Sequence, residues 1–79
     1  MTDEKELKDL IFSKGLKLKY VAKYLGLSPY GLSLKMKNKN EFKTSEVIAL
    51  CQLLDITSAE EKVKIFFAEK VDYKSTNND

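Results

Sequence analysis

Lysine is the side chain through which this sequence can meet other molecules. It carries 14 lysines, no arginine and no histidine against 12 carboxylates, for a net charge of +2. The lysines are unevenly spread. Residues 14–43 hold Lys14, Lys17, Lys19, Lys23, Lys35, Lys37, Lys39 and Lys43 against Glu41 alone, a local charge of +7, whereas residues 1–13 sum to −2 and residues 44–79 to −3. Ammonium groups gathered in this way seek an anion. A charge run is more often a solvated face, but these lysines flank one helix in the middle of a chain whose two ends are acidic, which favours phosphate as the partner. Lys14 and Lys23 serve solubility equally well.

Catalytic chemistry lacks its parts. Without histidine there is no Ser-His or Cys-His pair and no imidazole base, and no run of carboxylates suggests a buried acid–base pair. Cys51 is the sole cysteine, so an internal disulfide and the usual zinc sets of Cys and His are excluded. One turn from Val47 and Leu54, it reads as a small core hydrophobe. The sequence predicts a protein that is not an enzyme and takes no metal, no cofactor and no small-molecule ligand.

The elements that must position the lysines are helical. Seventy-nine residues, 43% hydrophobic and 33% charged, fit one domain with an economical core. No apolar stretch approaches the roughly 20 residues of a bilayer span, and the acidic start is unlike a secretory leader, so the expectation is a cytoplasmic protein with no membrane partner. Apolar residues recur three and four apart between Gly, Pro, Ser and Thr stops. The first helix is predicted from about Asp3 to Lys14, burying Leu7, Leu10 and Ile11 before Gly15. The second runs from Leu18 to Leu25, burying Leu18, Val21, Ala22 and Leu25 before Gly26. The third opens at Ser28-Pro29, a cap followed by a residue with no amide to leave unpaired, and is anchored by Leu32 and Met36. After the loop Lys37–Glu41, Thr44 is the cap predicted for a fourth helix with Val47, Ile48, Leu50, Cys51 and Leu54. Ser58 and Glu61 fit a capping box for a fifth, whose stripe is Val63, Phe66, Phe67 and Val71. Residues 1–74 form the domain, and the polar tail 75–79 reads as disordered.

Gly26 and Leu27 alone join the second and third helices, too short a link for an antiparallel hairpin, so the two must meet steeply as a helix-turn-helix over about residues 18–37. Ala22 lies at the crossing, where a larger side chain would hold the helices apart, and Val21, Leu25, Leu27 and Leu32 fill the wedge. The run Val21-Ala22-Lys23-Tyr24-Leu25-Gly26-Leu27-Ser28, then Leu32, resembles the motif of the lambda repressor and Cro family. Leu32 to Lys39 is similar to small phage and prophage regulators. Phe42 resembles the apolar residue that anchors the loop before helix four. Two positions depart from the pattern. Leu18 stands where members often carry a phosphate-gripping Gln, which it cannot replace. Lys35 occupies a site often apolar, so Met36 takes more of the packing and the rotation of the third helix stays open.

What the resemblance implies is an all-helical, five-helix DNA-binding domain whose third helix lies in the major groove. It implicates Pro29, Tyr30, Ser33 and Leu34 in facing bases, and Ser28, Lys37, Lys39 and Lys43 in holding the backbone. Tyr30 and Ser33 are three apart and share a face; Leu34 can meet only a thymine methyl. With no arginine the bidentate guanine contact is missing, so modest specificity is expected. The implied role is a Cro- or repressor-type transcriptional regulator binding a two-fold operator in double-stranded DNA as a homodimer. The alternatives are a protein-interaction module and an antitoxin-like partner-binding protein of the same fold. Tyr20 and Tyr24, four apart, either cover the core or stack on bases, with covering favoured. Of the adjacent Phe66 and Phe67, one is free for a dimer interface unless both pack inside.

Overall fold

The computed structural model describes residues 1–69, which form five helices and no strand. They are α1 (Glu4–Ser13), α2 (Leu18–Tyr24), α3 (Pro29–Met36), α4 (Thr44–Leu54) and α5 (Ala59–Phe66). Val71 and the tail 75–79 lie outside the described residues. Among those described, no helix is long and apolar enough to cross a membrane.

The starts follow capping chemistry. Asp3 accepts from the Glu6 amide at 3.1 Å, Ser28 from the Gly31 amide at 3.0 Å and Ser58 from the Glu61 amide at 3.0 Å. Each interaction satisfies one of the orphan donors of a first turn. At α4 the expectation fails. Thr44 is the first helical residue rather than the cap, and Lys43 holds the cap position. Lys43 has no capping oxygen in its side chain, so the work is done in reverse: Glu46, three residues on, accepts from the Lys43 amide at 2.8 Å.

The stops share one device. The chain after α1 turns through Gly15 at φ +75° and the chain after α2 through Gly26 at φ +73°. In each, the amide of the following residue reaches back across the last turn, Leu16 to the Ile11 carbonyl at 3.2 Å and Leu27 to the Ala22 carbonyl at 2.8 Å. This is the Schellman arrangement. A Cβ at either glycine would meet nothing within 4 Å, so the demand for glycine is the positive φ itself. The ends of α3 and α4 repeat the turn with Asn38 at φ 64° and Asp55 at φ 58°. Asn and Asp are the two L-residues that enter this region at least penalty.

The core collects one stripe from each helix: Leu7 and Ile11, Val21 and Ala22, Leu32 and Met36, Leu50 and Leu54, then Ile65 and Phe66, with Ile56 between the last two helices. Three of the stripes are spaced by four, as a single inward face requires. On α5 the predicted stripe is rotated. Phe66 is 5% exposed and Phe67 61% exposed, Val63 also faces out, and Ile65 goes in. Successive residues diverge by about 100°, and the inward direction bisects Ile65 and Phe66, which leaves Val63 and Phe67 on the far side. Phe66 is held there by an edge-to-face contact with Phe42, ring centres 6.1 Å apart.

The first three residues tie distant parts together. The Asp3 amide donates to the Ile65 carbonyl at 2.7 Å, and the Met1 ammonium to the Ala68 carbonyl at 3.1 Å. Thr2 exchanges two hydrogen bonds with one side chain: its amide donates to Asn38 Oδ1 at 2.8 Å, and Asn38 Nδ2 donates to its carbonyl at 2.9 Å. The loop after α3 is thereby fastened to the start of the chain.

Candidate nucleic-acid interface

The turn at Gly26 and Leu27 delivers Ser28 as cap and Pro29 as first residue of α3. Val21, Ala22 and Leu32 are all buried where α2 packs on α3. With Leu32 and Met36 inward, the 100° step places Tyr30, Ser33, Leu34 and Lys37 on the opposite arc. Tyr30 is 73% exposed, the most open of the large apolar side chains described. Ser28, Pro29 and Lys37 are exposed as well, whereas Ser33, at the edge of the arc, and Leu34 are half-buried. Lys39 and Lys43 stand exposed in the segment that follows. The eight residues singled out from the sequence thus fall on one helix, its cap and the loop that leaves it.

Lys35 does not belong with them. It points from α3 toward α4, where its ammonium meets Glu46 Oε1 at 2.6 Å with the two side chains only 11% and 10% exposed. The same oxygen accepts the Lys43 amide. Burial alone would raise the Glu46 carboxyl. The hydrogen bonds from Lys35 and Lys43 and the charge of those two lysines outweigh it and hold the group below its ordinary range. Glu46 thus sits in a buried ion pair, and Lys35 is not available as an anion-seeking group. The signal was present in the sequence: a lysine between Leu32 and Met36 at a site suited to an apolar residue needs a partner, and Glu46 sits where a first-turn carboxylate can reach back.

The charge pattern sharpens once the pairs are removed. The other salt bridges are Lys5–Asp9 and Lys8–Glu4 within α1, and Lys64–Glu6 between α5 and α1. Among the described residues, Lys14, Lys17, Lys19, Lys23, Lys37, Lys39 and Lys43 make no salt bridge. Of the described lysines without a salt bridge, all but Lys62 on α5 lie between the end of α1 and the start of α4. Glu41, the one acidic residue of that segment, is also unpaired among the described residues.

Two expectations about side chains outside α3 are revised or sharpened. Tyr20 and Tyr24 do not cover the core: both are about half exposed, with ring centres 6.4 Å apart, on the face of α2 opposite Val21 and Ala22. Cys51 is half-buried against the core, and burial pushes its thiol up, which disfavours the thiolate. The described residues contain no group of three His, Cys, Asp or Glu able to hold a metal ion.

The comparison with protein families decides one matter. The chain belongs to the family described as protein of unknown function (DUF739), which matches residues 3–70. No curated protein and no solved structure matches the chain. The match spans all five helices and the whole lysine-rich segment, so the candidate interface lies within the family's shared region.

Proposed function

We propose that this protein is a double-stranded DNA-binding transcriptional regulator of the phage or prophage Cro or repressor type, in which α2 and α3 are a lambda repressor-like helix-turn-helix. One observation carries the reading. On the outward arc of α3 Tyr30 and Lys37 are exposed and Ser33 and Leu34 half-buried, and the lysines that flank the arc make no salt bridge among the described residues. On this reading α3 enters the major groove. Tyr30, Ser33 and Leu34 meet base edges, and Ser28, Lys37, Lys39 and Lys43 meet phosphates. The Lys35–Glu46 pair sets the rotation of α3 that the sequence leaves open.

The partner copy has a surface to use. Ile48 on α4, Val63 on α5 and Phe67 at the C-cap of α5 are large apolar side chains more than half exposed. Exposed apolar groups of this size on neighbouring helices suit an isologous contact between two copies. Two recognition helices related by a two-fold axis would read half-sites centred about 10 base pairs apart.

Selecting bound sequences from a random duplex library tests both parts. A two-fold motif with half-sites one turn apart is expected. A pool that shows no enrichment, with binding that does not weaken as salt rises, would point to a protein-interaction module or an antitoxin-like partner binder on the same helices.

A further inference from the structure

Glu46 is the one described carboxylate that is buried, and one of its oxygens receives two donors from different elements. One donor is the ammonium of Lys35, on the last turn of α3. The other is the amide of Lys43, immediately before α4. Between these two points run Lys37, Asn38, Lys39 and Asn40, whose backbone turns through the left-handed Asn38. A single oxygen atom therefore fixes both ends of the segment that displays Lys37, Lys39 and Lys43.

An ion pair of this kind is a poor device for stability alone. Desolvating both groups offsets most of their attraction, and apolar replacements of similar volume are often neutral or stabilising. Lys35 also cannot act as a phosphate contact while Glu46 neutralises it. What the pair does supply is direction, because an ammonium and a carboxylate at 2.6 Å tolerate far less sliding of α3 against α4 than two apolar side chains would.

We infer that Glu46 is a positioning residue for nucleic-acid recognition, holding the rotation of α3 and the path of residues 37–43 through its joint hold on Lys35 and the Lys43 backbone. The inference rests on the duplex-binding reading for its purpose, but its geometric part stands apart from it. Recognition requires side chains held to within about half an ångström of their contacts, and a site left looser loses discrimination before it loses charge-driven attraction. Specific and non-specific binding should therefore respond differently when the tie is cut.

The test compares the wild-type chain with Lys35→Met/Glu46→Leu, which replaces the pair by apolar groups, and with Glu46→Gln, which keeps an oxygen for the Lys43 amide but removes the charge. Each is measured for thermal midpoint, for amide hydrogen exchange at residues 37–43 without DNA, and for binding to two probes. The probes are a random-sequence 20-base-pair duplex pool and the best duplex selected from it. The double variant is expected to melt no lower than the wild type yet to exchange its 37–43 amides about tenfold faster. It should bind the selected duplex about tenfold more weakly and the random pool within about twofold, with an unchanged salt slope because no open cation is lost. Should the double variant fail to fold, the same split between the two duplexes in Glu46→Gln carries the inference. Unchanged exchange together with unchanged affinity for the selected duplex, in a variant that folds, would overturn it. If the wild type binds no duplex at all, the functional reading falls, and the exchange measurement alone decides whether Glu46 orders the segment.

Discussion

Replacing Lys37, Lys39 and Lys43 together by alanine tests the assignment of phosphate contacts with a number attached. All three are exposed and without salt bridges among the described residues, so each is free to displace one counterion from a duplex. Each neutralised phosphate contributes about −0.9 to the slope of log affinity against log salt. Three per protomer give about −2.7 for a monomer and about −5.4 for a dimer with both copies engaged, which over a rise from 50 to 200 mM amounts to roughly a 10³-fold loss of affinity for the dimer. The triple variant should lack that component while keeping the contribution of the α2 lysines. Its stability should stay within about 0.5 kcal/mol of the wild type, since no packing is removed. Fluorescence anisotropy with a labelled random-sequence duplex at four salt concentrations gives the slope, and the size of its change also reports how many copies are bound. A triple variant whose slope equals that of the wild type would refute the assignment of these three lysines.

The remaining expectations are simpler to state. Tyr30→Ala should leave stability unchanged, because its ring is exposed, but should alter which sequences a selection returns. Asn38→Gly keeps the left-handed turn and loses both bonds to Thr2, costing about 1–2 kcal/mol in urea unfolding, and Asn38→Ala should cost roughly a further 1 kcal/mol for the strained backbone. Phe66→Ala should cost about 3–5 kcal/mol. Phe67→Ser should leave the monomer's stability nearly unchanged and instead shift sedimentation toward single copies. The depressed Glu46 carboxyl contributes stability that is fully present above the ordinary glutamate range and is lost as pH falls through its lower folded value. The acid limb of the wild-type stability profile should therefore be steeper below about pH 4.5 than that of Glu46→Gln, and matching limbs would count against the pair.

Much of the fold could be read from the chain because its punctuation is local. Ser28-Pro29, Asp3 and Ser58 act within one turn of themselves, and glycine at 15 and 26 announces a positive φ by its identity alone. What stayed hidden depends on partners far away in sequence. Asn38 reads as an ordinary loop residue until Thr2 is beside it, and Lys35 reads as one more cation until Glu46 faces it. The orientation of α5 was ambiguous for a related reason: Val63, Ile65, Phe66 and Phe67 are all apolar, so periodicity allows more than one inward face, and Phe42 and the neighbouring core choose between them. The outward arc of α3 was legible in outline because Leu32 and Met36 mark its inward side, while its rotation waited on the pairing of Lys35 with Glu46.

The order in which a growing chain can reach this structure follows from its first three residues. The Asp3 amide has no partner until Ile65 exists, and Met1 waits for Ala68. Closing a loop of that length loses entropy that only the finished docking of α5 on α1 returns. During synthesis, then, the opening helix leaves the ribosome with its outer edge unclaimed, and the domain locks only when nearly all of it has emerged. A message that stalls short of α5 would release a chain that has α3 but lacks the Ile65 carbonyl that holds Asp3.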